Sequence, residues 1–227
     1  MFYLNRETEL DTKLLYKMIN RFRLNVEPKL NKYKNYYDGL QAILSKRYTD
    51  ESKPCNRSVI NYCKNITDSY CGYLATPNYI SYTSQNDIED IMNILRYNDY
   101  QAEDADFLLD ALIYGVAAEL MYLDNDSQVR FRLINPKQCF GVYDDSLTGD
   151  LIYFVRMYKV SDWDESDIYN VDVYGDSTIK HYRMSGYNGD LVLLDEQPHY
   201  FNQCPANIFY MPDEKSVFDC IMSLQDS

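Results

Sequence analysis

The chain has 227 residues, long enough to bury a core without disulfide or metal staples. Apolar residues make up 46% of it and aromatics 15%, which excludes a disordered chain. A net charge of −13 excludes a protein that clasps duplex DNA over its whole surface by neutralising phosphates. The opening, Met1 to Glu7, has no basic region followed by an apolar one, so no secretion signal is expected. No run approaches roughly 18 uninterrupted apolar residues, so no membrane span is expected. The protein is expected to be soluble and cytoplasmic when made.

Residues 7–24 carry Leu10, Leu14, Leu15, Met18, Ile19 and Phe22 at helical spacing, with Thr8 and Asp11 offering an N-terminal cap. Pro28 opens a second helix through Tyr37, which Gly39 ends. Residues 45–54 are polar, contain Pro54 and read as a loop. A third helix begins near Asn56 or Ser58 and buries a stripe of Val59, Tyr62 or Cys63, Ile66, Tyr70 and Leu74. Gly72 interrupts it and Pro77 stops it. Residues 79–82 alternate like a short strand. Residues 87–97 form a compact amphipathic helix with Ile88, Ile91, Met92 and Leu95 inward. Residues 100–118 form the most apolar helix, acidic at its start (Glu103, Asp104, Asp106), as the positive end of a helix dipole favours.

From Glu119 the period changes to two. The turn Asp124-Asn125-Asp126-Ser127 precedes a cleanly alternating strand at 129–134. Strands continue at 139–143, 151–160, 169–174, 178–184 and 191–194, with Gly175-Asp176 and Asn188-Gly189 as hairpin turns. Residues 162–167 are an acidic loop holding the only Trp, Trp163. A short strand at 208–211 precedes Pro212, and the chain turns helical from Glu214. There Val217, Ile221 and Leu224 begin a stripe with no terminating Gly or Pro, the look of a helix cut in mid-run. Helices first and antiparallel, hairpin-rich strands afterwards define an α+β fold. The expected division is a body of residues 1–212, mainly helical over 1–118 and mainly β over 119–212, followed by a helix start at 213–227.

The charge is unevenly spread. Residues 1–66 hold 13 Lys or Arg against 7 Asp or Glu, or +6, and residues 67–227 hold 9 against 28, or −19. Two solvated surfaces account for this, as does an N-terminal face for an acidic partner beside an acidic body that repels phosphates. Tyr numbers 24, which suits interfaces. Abundant Asn, Asp, Ile and Lys point equally to an AT-rich coding bias.

No catalytic template is met. The six cysteines (Cys55, Cys63, Cys71, Cys139, Cys204, Cys220) form no C-x-x-C pair, and two histidines, His181 and His199, do not make a zinc spacing. They read as reduced, partly buried thiols. Sequons begin at Asn56, Asn65 and Asn125 and carry no meaning without a secretory route. There is no G-x-S-x-G, Walker loop or G-x-G-x-x-G. Three aspartate pairs, Asp104/Asp106, Asp124/Asp126 and Asp162/Asp164, have the chemistry for a hard cation but also the positions of caps and turns. Arg130 and Arg132 share a strand face and suit either phosphate or cross-strand acids. Asp213-Glu214-Lys215 resembles the carboxylate–lysine end of some nucleases, although acids at a helix start are ordinary. The expected set of catalytic, cofactor-binding and metal residues is therefore empty.

Several passages carry a family likeness in their order. They are Tyr37-Asp38-Gly39 with Ile43, the Asn-rich helix from Asn56 to the Gly72-Tyr73-Leu74 element, and the apolar helix with Gly115 leading into a strand at Tyr122. The turn at Pro136 ahead of Phe140-Gly141-Val142-Tyr143-Asp144 and the strand Cys204-Pro205-Ala206-Asn207-Ile208 complete the series. Together they resemble the portal proteins of tailed bacteriophages, specifically those of the long-tailed phages of Gram-positive bacteria. The resemblance implies a structural protein and not an enzyme: a ring of twelve subunits that passes double-stranded DNA during packaging and ejection and joins head to tail. It implies terminase, capsid or scaffold, and head–tail connector partners, no cofactor, no membrane, and a place at the virion's portal vertex after assembly in the host cytoplasm. Residues 1–212 would be wing-like and 213–227 the opening of a channel-lining helix, the family's chain being about twice this long. On that implication the chain is a truncated part of the subunit, and alone it is expected to be a monomer or a weak small oligomer. The rival readings are a Tyr- and Trp-rich carbohydrate- or protein-binding β module with a helical attachment, and a metal-dependent hydrolase using the aspartate pairs.

Overall fold

The computed structural model describes residues 1–45, 58–76, 80–159, 167–186 and 189–225. In chain order, strand β1 (Phe2–Leu4) precedes helices α1 (Thr12–Asn25), α2 (Glu27–Tyr37), α3 (Tyr62–Leu74), α4 (Glu89–Tyr97) and α5 (Tyr100–Tyr114). Strands β2 (Val116–Leu123), β3 (Val129–Ile134), β4 (Cys139–Asp144), β5 (Leu151–Lys159), β6 (Ile168–Tyr174), β7 (Thr178–Ser185), β8 (Leu191–Pro198) and β9 (Ala206–Tyr210) follow. The short helix α6 (Met222–Gln225) comes last. The α+β arrangement is the one expected, with helices first and a mostly antiparallel sheet afterwards. Two compact units interleave along the chain, Met1–Glu27 with Ala118–Ile208 and Pro28–Ala117 with Phe209–Ser227.

The first unit is built on a six-stranded sheet in the order β1-β4-β5-β6-β7-β8 and a three-stranded one in the order β3-β2-β9. Hairpins make the pairing from β4 to β8 antiparallel, and Gly175 N–H bonds the Thr178 carbonyl at 2.9 Å across the β6–β7 turn. Strand β1 is parallel to β4, a pairing that no local sequence signal announces, because its partner lies about 140 residues away. Helix α1 starts one turn later than expected. Asp11, not Thr8, supplies the cap, its carboxylate accepting from Leu14 N at 2.7 Å. Its buried face, Leu15, Met18, Ile19 and Phe22, reaches β4, where Phe22 stacks on Phe140 at 5.3 Å and Phe2 of β1 approaches the same ring at 4.8 Å. Each such buried side chain contributes about 1.5–3 kcal/mol. A core of Ala118, Leu120, Ile134, Cys139, Phe154, Tyr174 and Cys204 draws on strands of both sheets.

In the second unit, α2 buries Leu30, Tyr33, Tyr36 and Tyr37, and α5 buries Ala111, Leu112, Ile113 and Tyr114. Gly115 caps α5 at φ 74, and a Cβ there would meet the Lys215 backbone at 2.5 Å, so only glycine fits. The chain's end turns helical later than expected. Asp213 and Glu214 are left-handed (φ 58 and 52), Pro212–Glu214 and Asp219–Ile221 are single 3-10 turns, and α-helix begins only at Met222. The buried side chains are Ser216, Phe218 and Met222, not the Val217, Ile221 and Leu224 stripe. The reason is local: Ser216 Oγ and Val217 N–H both bond the Leu112 carbonyl, and Phe218 meets Tyr33 edge-on at 6.0 Å. Residues 80–82 form no strand; Tyr82 instead meets Tyr100 edge-on at 5.8 Å. The expected features at Pro54, Asn56, Pro77, Tyr79, Trp163 and Asn188 lie outside the described residues.

Candidate functional site

The first two passages singled out in the sequence come together as a polar knot between α2 and α3. Tyr37 OH donates to Asp68 at 2.8 Å, Lys64 Nζ donates to Tyr37 OH at 3.0 Å, and Lys64 and Asp68 pair at 2.9 Å. Asn61, the N-cap of α3, also donates to the Tyr37 carbonyl at 2.7 Å. Hydrogen bonds that Lys64 donates to Tyr37 and then to Asp68 raise the Lys64 ammonium's pKa. Burial pushes the Asp68 carboxyl up, yet the bonds from Lys64 and Tyr37 outweigh it and hold the group below its usual value. The knot fixes two helices, and it holds Lys64 as the ammonium, which has no lone pair to attack with. In the passage around Pro136, Asn135 accepts from Lys137 N at 3.0 Å, and a Cβ on Gly141 would strike Ile208 Cδ1 at 2.7 Å.

The remaining candidates are accounted for as structure. His199 is buried, donating from Nε2 to the Gly175 carbonyl at 3.0 Å and accepting from Phe201 N at 3.1 Å. Cys204 gives its thiol proton to the Tyr174 carbonyl at 3.5 Å, and burial pushes its pKa up to about 12, which makes it a poor nucleophile. Asp124 spends its carboxylate on the backbone of Asp126 and Gln128, as a turn does. Asp104 accepts from Tyr82 OH at 3.4 Å while Asp106, two positions on, points elsewhere around α5. Asp162 and Asp164 lie outside the described residues. Among the described residues no group of three or more His, Cys, Asp or Glu is placed to hold a metal. In the strand register Arg130 and Arg132 stand opposite Tyr122 and Leu120 of β2. Lys215 and Asp213 are an exposed pair at 3.8 Å beside a left-handed turn, not a catalytic end.

The register reveals a row that the sequence did not. Arg156, Asp172, His181 and Asp195 stand side by side on β5, β6, β7 and β8. His181 Nδ1 is 2.7 Å from Asp172, which is only 4% exposed, and Arg156 lies over the Tyr158 ring at 4.3 Å. No signal shorter than the strand register could have found it. The His181–Asp172 hydrogen bond joins β6 to β7 across the strands, a structural cross-strand pair.

The helical unit is the more exposed. On α3 the inward residues are Cys63, one of the two alternatives expected at that point of the stripe, and Thr67, while Tyr70 and Leu74, expected inside, face solvent. On α4 nothing is fully buried, and Ile91, expected inward, is 57% exposed. Among the described residues the helices α3 and α4 thus carry exposed apolar side chains.

The family model described as "Phage portal protein, SPP1 Gp6-like" matches residues 23–227. The chain belongs to that family. Portal proteins of this family are structural subunits of the phage portal, and the resemblance to phage portal proteins read from Tyr37 through Ile208 is thereby shown. No curated protein matches the chain. Among the described residues no helix is long and apolar enough to cross a membrane.

Proposed function

We propose that the chain is a subunit of a twelve-membered portal ring through which double-stranded DNA is packed and ejected, and that it carries out no catalysis. The family match over residues 23–227 carries this reading, and the contact surfaces without a reactive cluster among the described residues support it. Residues 1–212 act as the ring's wing-like body and residues 213–227 lead toward the channel-lining helix. Terminase, capsid or scaffold, and head–tail connector proteins are the partners. The place of work is the portal vertex, after assembly in the bacterial cytoplasm. An acidic majority, −19 over residues 67–227, suits a channel component past which phosphates must slide without sticking.

Gold labelling of phage heads that carry the tagged protein tests this directly. One labelled vertex per head is expected; label spread over the shell, or none, overturns it. Duplex binding by the purified protein should also be weak and indifferent to sequence at physiological salt, and tight sequence-selective binding would contradict the proposal.

A further inference from the structure

Helix α4 has two apolar faces where a surface helix needs one. Ile88, Met92 and Leu95 recur at i, i+4 and i+7 and are half-buried, while Ile91, Ile94 and Tyr97 recur at i, i+3 and i+6 and are 57, 37 and 50% exposed. Glu89 and Arg96 pair at 2.8 Å on the remaining arc, so α4's cation is already used. The outer apolar face is edged only by acids, Asp87 and Asp90, and from residue 67 to residue 117 nine carboxylates face a single cation, Arg96.

Helix α1 carries the opposite surface. Lys13, Lys17 and Arg21 lie at i, i+4 and i+8 on its exposed side, and Leu24 extends the same stripe at 76% exposure. Among the described residues neither Lys13 nor Lys17 has an acidic partner, and Arg21 lies over the Phe2 ring at 5.7 Å. Lys13 to Leu24 runs about 16 Å and Asp87 to Tyr97 about 15 Å at helical rise. Laid parallel, the two stripes match in order, charge against charge at their starts and apolar against apolar at their ends.

We propose that the outer face of α4 (Asp87, Asp90, Ile91, Ile94, Tyr97) docks on the Lys13–Lys17–Leu24 stripe of α1 in a second copy of this chain. The contact is head-to-tail, joining two different patches, and so propagates from copy to copy as ring closure demands. This rests on the ring-subunit reading and names the faces that reading leaves open. A single such contact is weak, because exposed ion pairs add little, and it is salt-sensitive.

Sedimentation velocity of the whole chain at rising concentration and low salt tests it with two charge-reversed variants, Lys13→Glu/Lys17→Glu and Asp90→Lys/Ile94→Lys, each first shown to be folded by circular dichroism. Each variant alone should associate about tenfold more weakly than the natural sequence, since like charges then face each other. Their equal mixture should associate again, because both junctions become complementary. Loss without recovery in the mixture, or no association at any concentration, overturns the proposal. Association that neither variant weakens also overturns it while leaving a ring built through other faces intact. If Asp90→Lys/Ile94→Lys cannot be folded, Asp90→Lys alone serves in the same mixture. Duplex DNA retention lost in Lys13→Glu/Lys17→Glu with self-association unchanged would assign the stripe to nucleic acid and sink the proposal. Single-vertex gold labelling remains the separate test of the portal reading.

Discussion

Strands β4 to β7 bury Phe140, Val142, Phe154, Val155, Val171, Val173 and Met184, whereas α3 and α4 leave Tyr62, Tyr70, Tyr73, Ile91 and Tyr97 in solvent. Both regions are comparably apolar by sequence. The difference lies in what each has to pack against. A strand within the sheet has neighbours on both sides and a sheet face to cover, so its period of two translates into burial. A helix with one neighbouring helix covers only the side that meets it, and its other apolar residues stay exposed unless another chain arrives. Apolar periodicity thus indicates the element reliably and the buried face only when the partners are known.

The largest expected effect falls on the sheet side of this contrast. Phe154 is fully buried in the core and meets Tyr174 at 6.1 Å, so Phe154→Ala leaves a cavity and should cost about 3–5 kcal/mol, read from urea unfolding midpoints. A loss below about 1 kcal/mol would show that the sheet unit is loosely packed and that the contrast is false. Gly115→Ala comes next. It forces a left-handed residue against the Lys215 backbone and should cost about 2 kcal/mol or more in a thermal melt.

A titration sharpens the helical side. Asp110 on α5 has its pKa raised to about 6, first by burial and then by Asp106, with Lys34 pulling the other way. The unfolded carboxyl titrates lower, so between these two values the folded state binds more protons. Asp110 therefore favours the folded state below the unfolded pKa, and that contribution is lost as pH rises through about 6. Asp110→Asn should raise stability at pH 8 by about 1–2 kcal/mol and change it little at pH 4. Equal melting shifts at both pH values would show that burial of the charge is not the cause.

How far the sequence could be read follows the same line. The antiparallel strands and the Gly175 turn were legible because their signals are local. The β1–β4 pairing and the Arg156–Asp172–His181–Asp195 row were not, because both depend on register between distant segments. The Tyr37–Lys64–Asp68 knot lay half in view: its residues sat within the passages that carried the family likeness, but their contact depends on how α2 and α3 pack on each other. The stripe assigned to Val217, Ile221 and Leu224 failed because Ser216 and Phe218 took tertiary partners, Leu112 and Tyr33, that outweigh the helical period.

The smallest effect decides the comparison most cleanly. By period alone Ile91 belongs to α4's buried stripe, and a polar substitution there would then cost several kcal/mol, as in any core. Its observed exposure says otherwise: Ile91→Ser removes a side chain already mostly in water and leaves no cavity. The helix loses a little propensity, since serine is a slightly poorer helix former than isoleucine, and keeps its inward Met92 and Leu95. The expected change in the monomer's unfolding free energy is therefore within about 0.5 kcal/mol. Met92→Ser on the same helix should cost clearly more, because that side chain is half-buried. The two substitutions, compared in one urea series at a concentration where the chain is monomeric, separate the faces of α4. Equal losses would mean that α4 is buried all round, and the outer face would then have no surface left to offer a second copy.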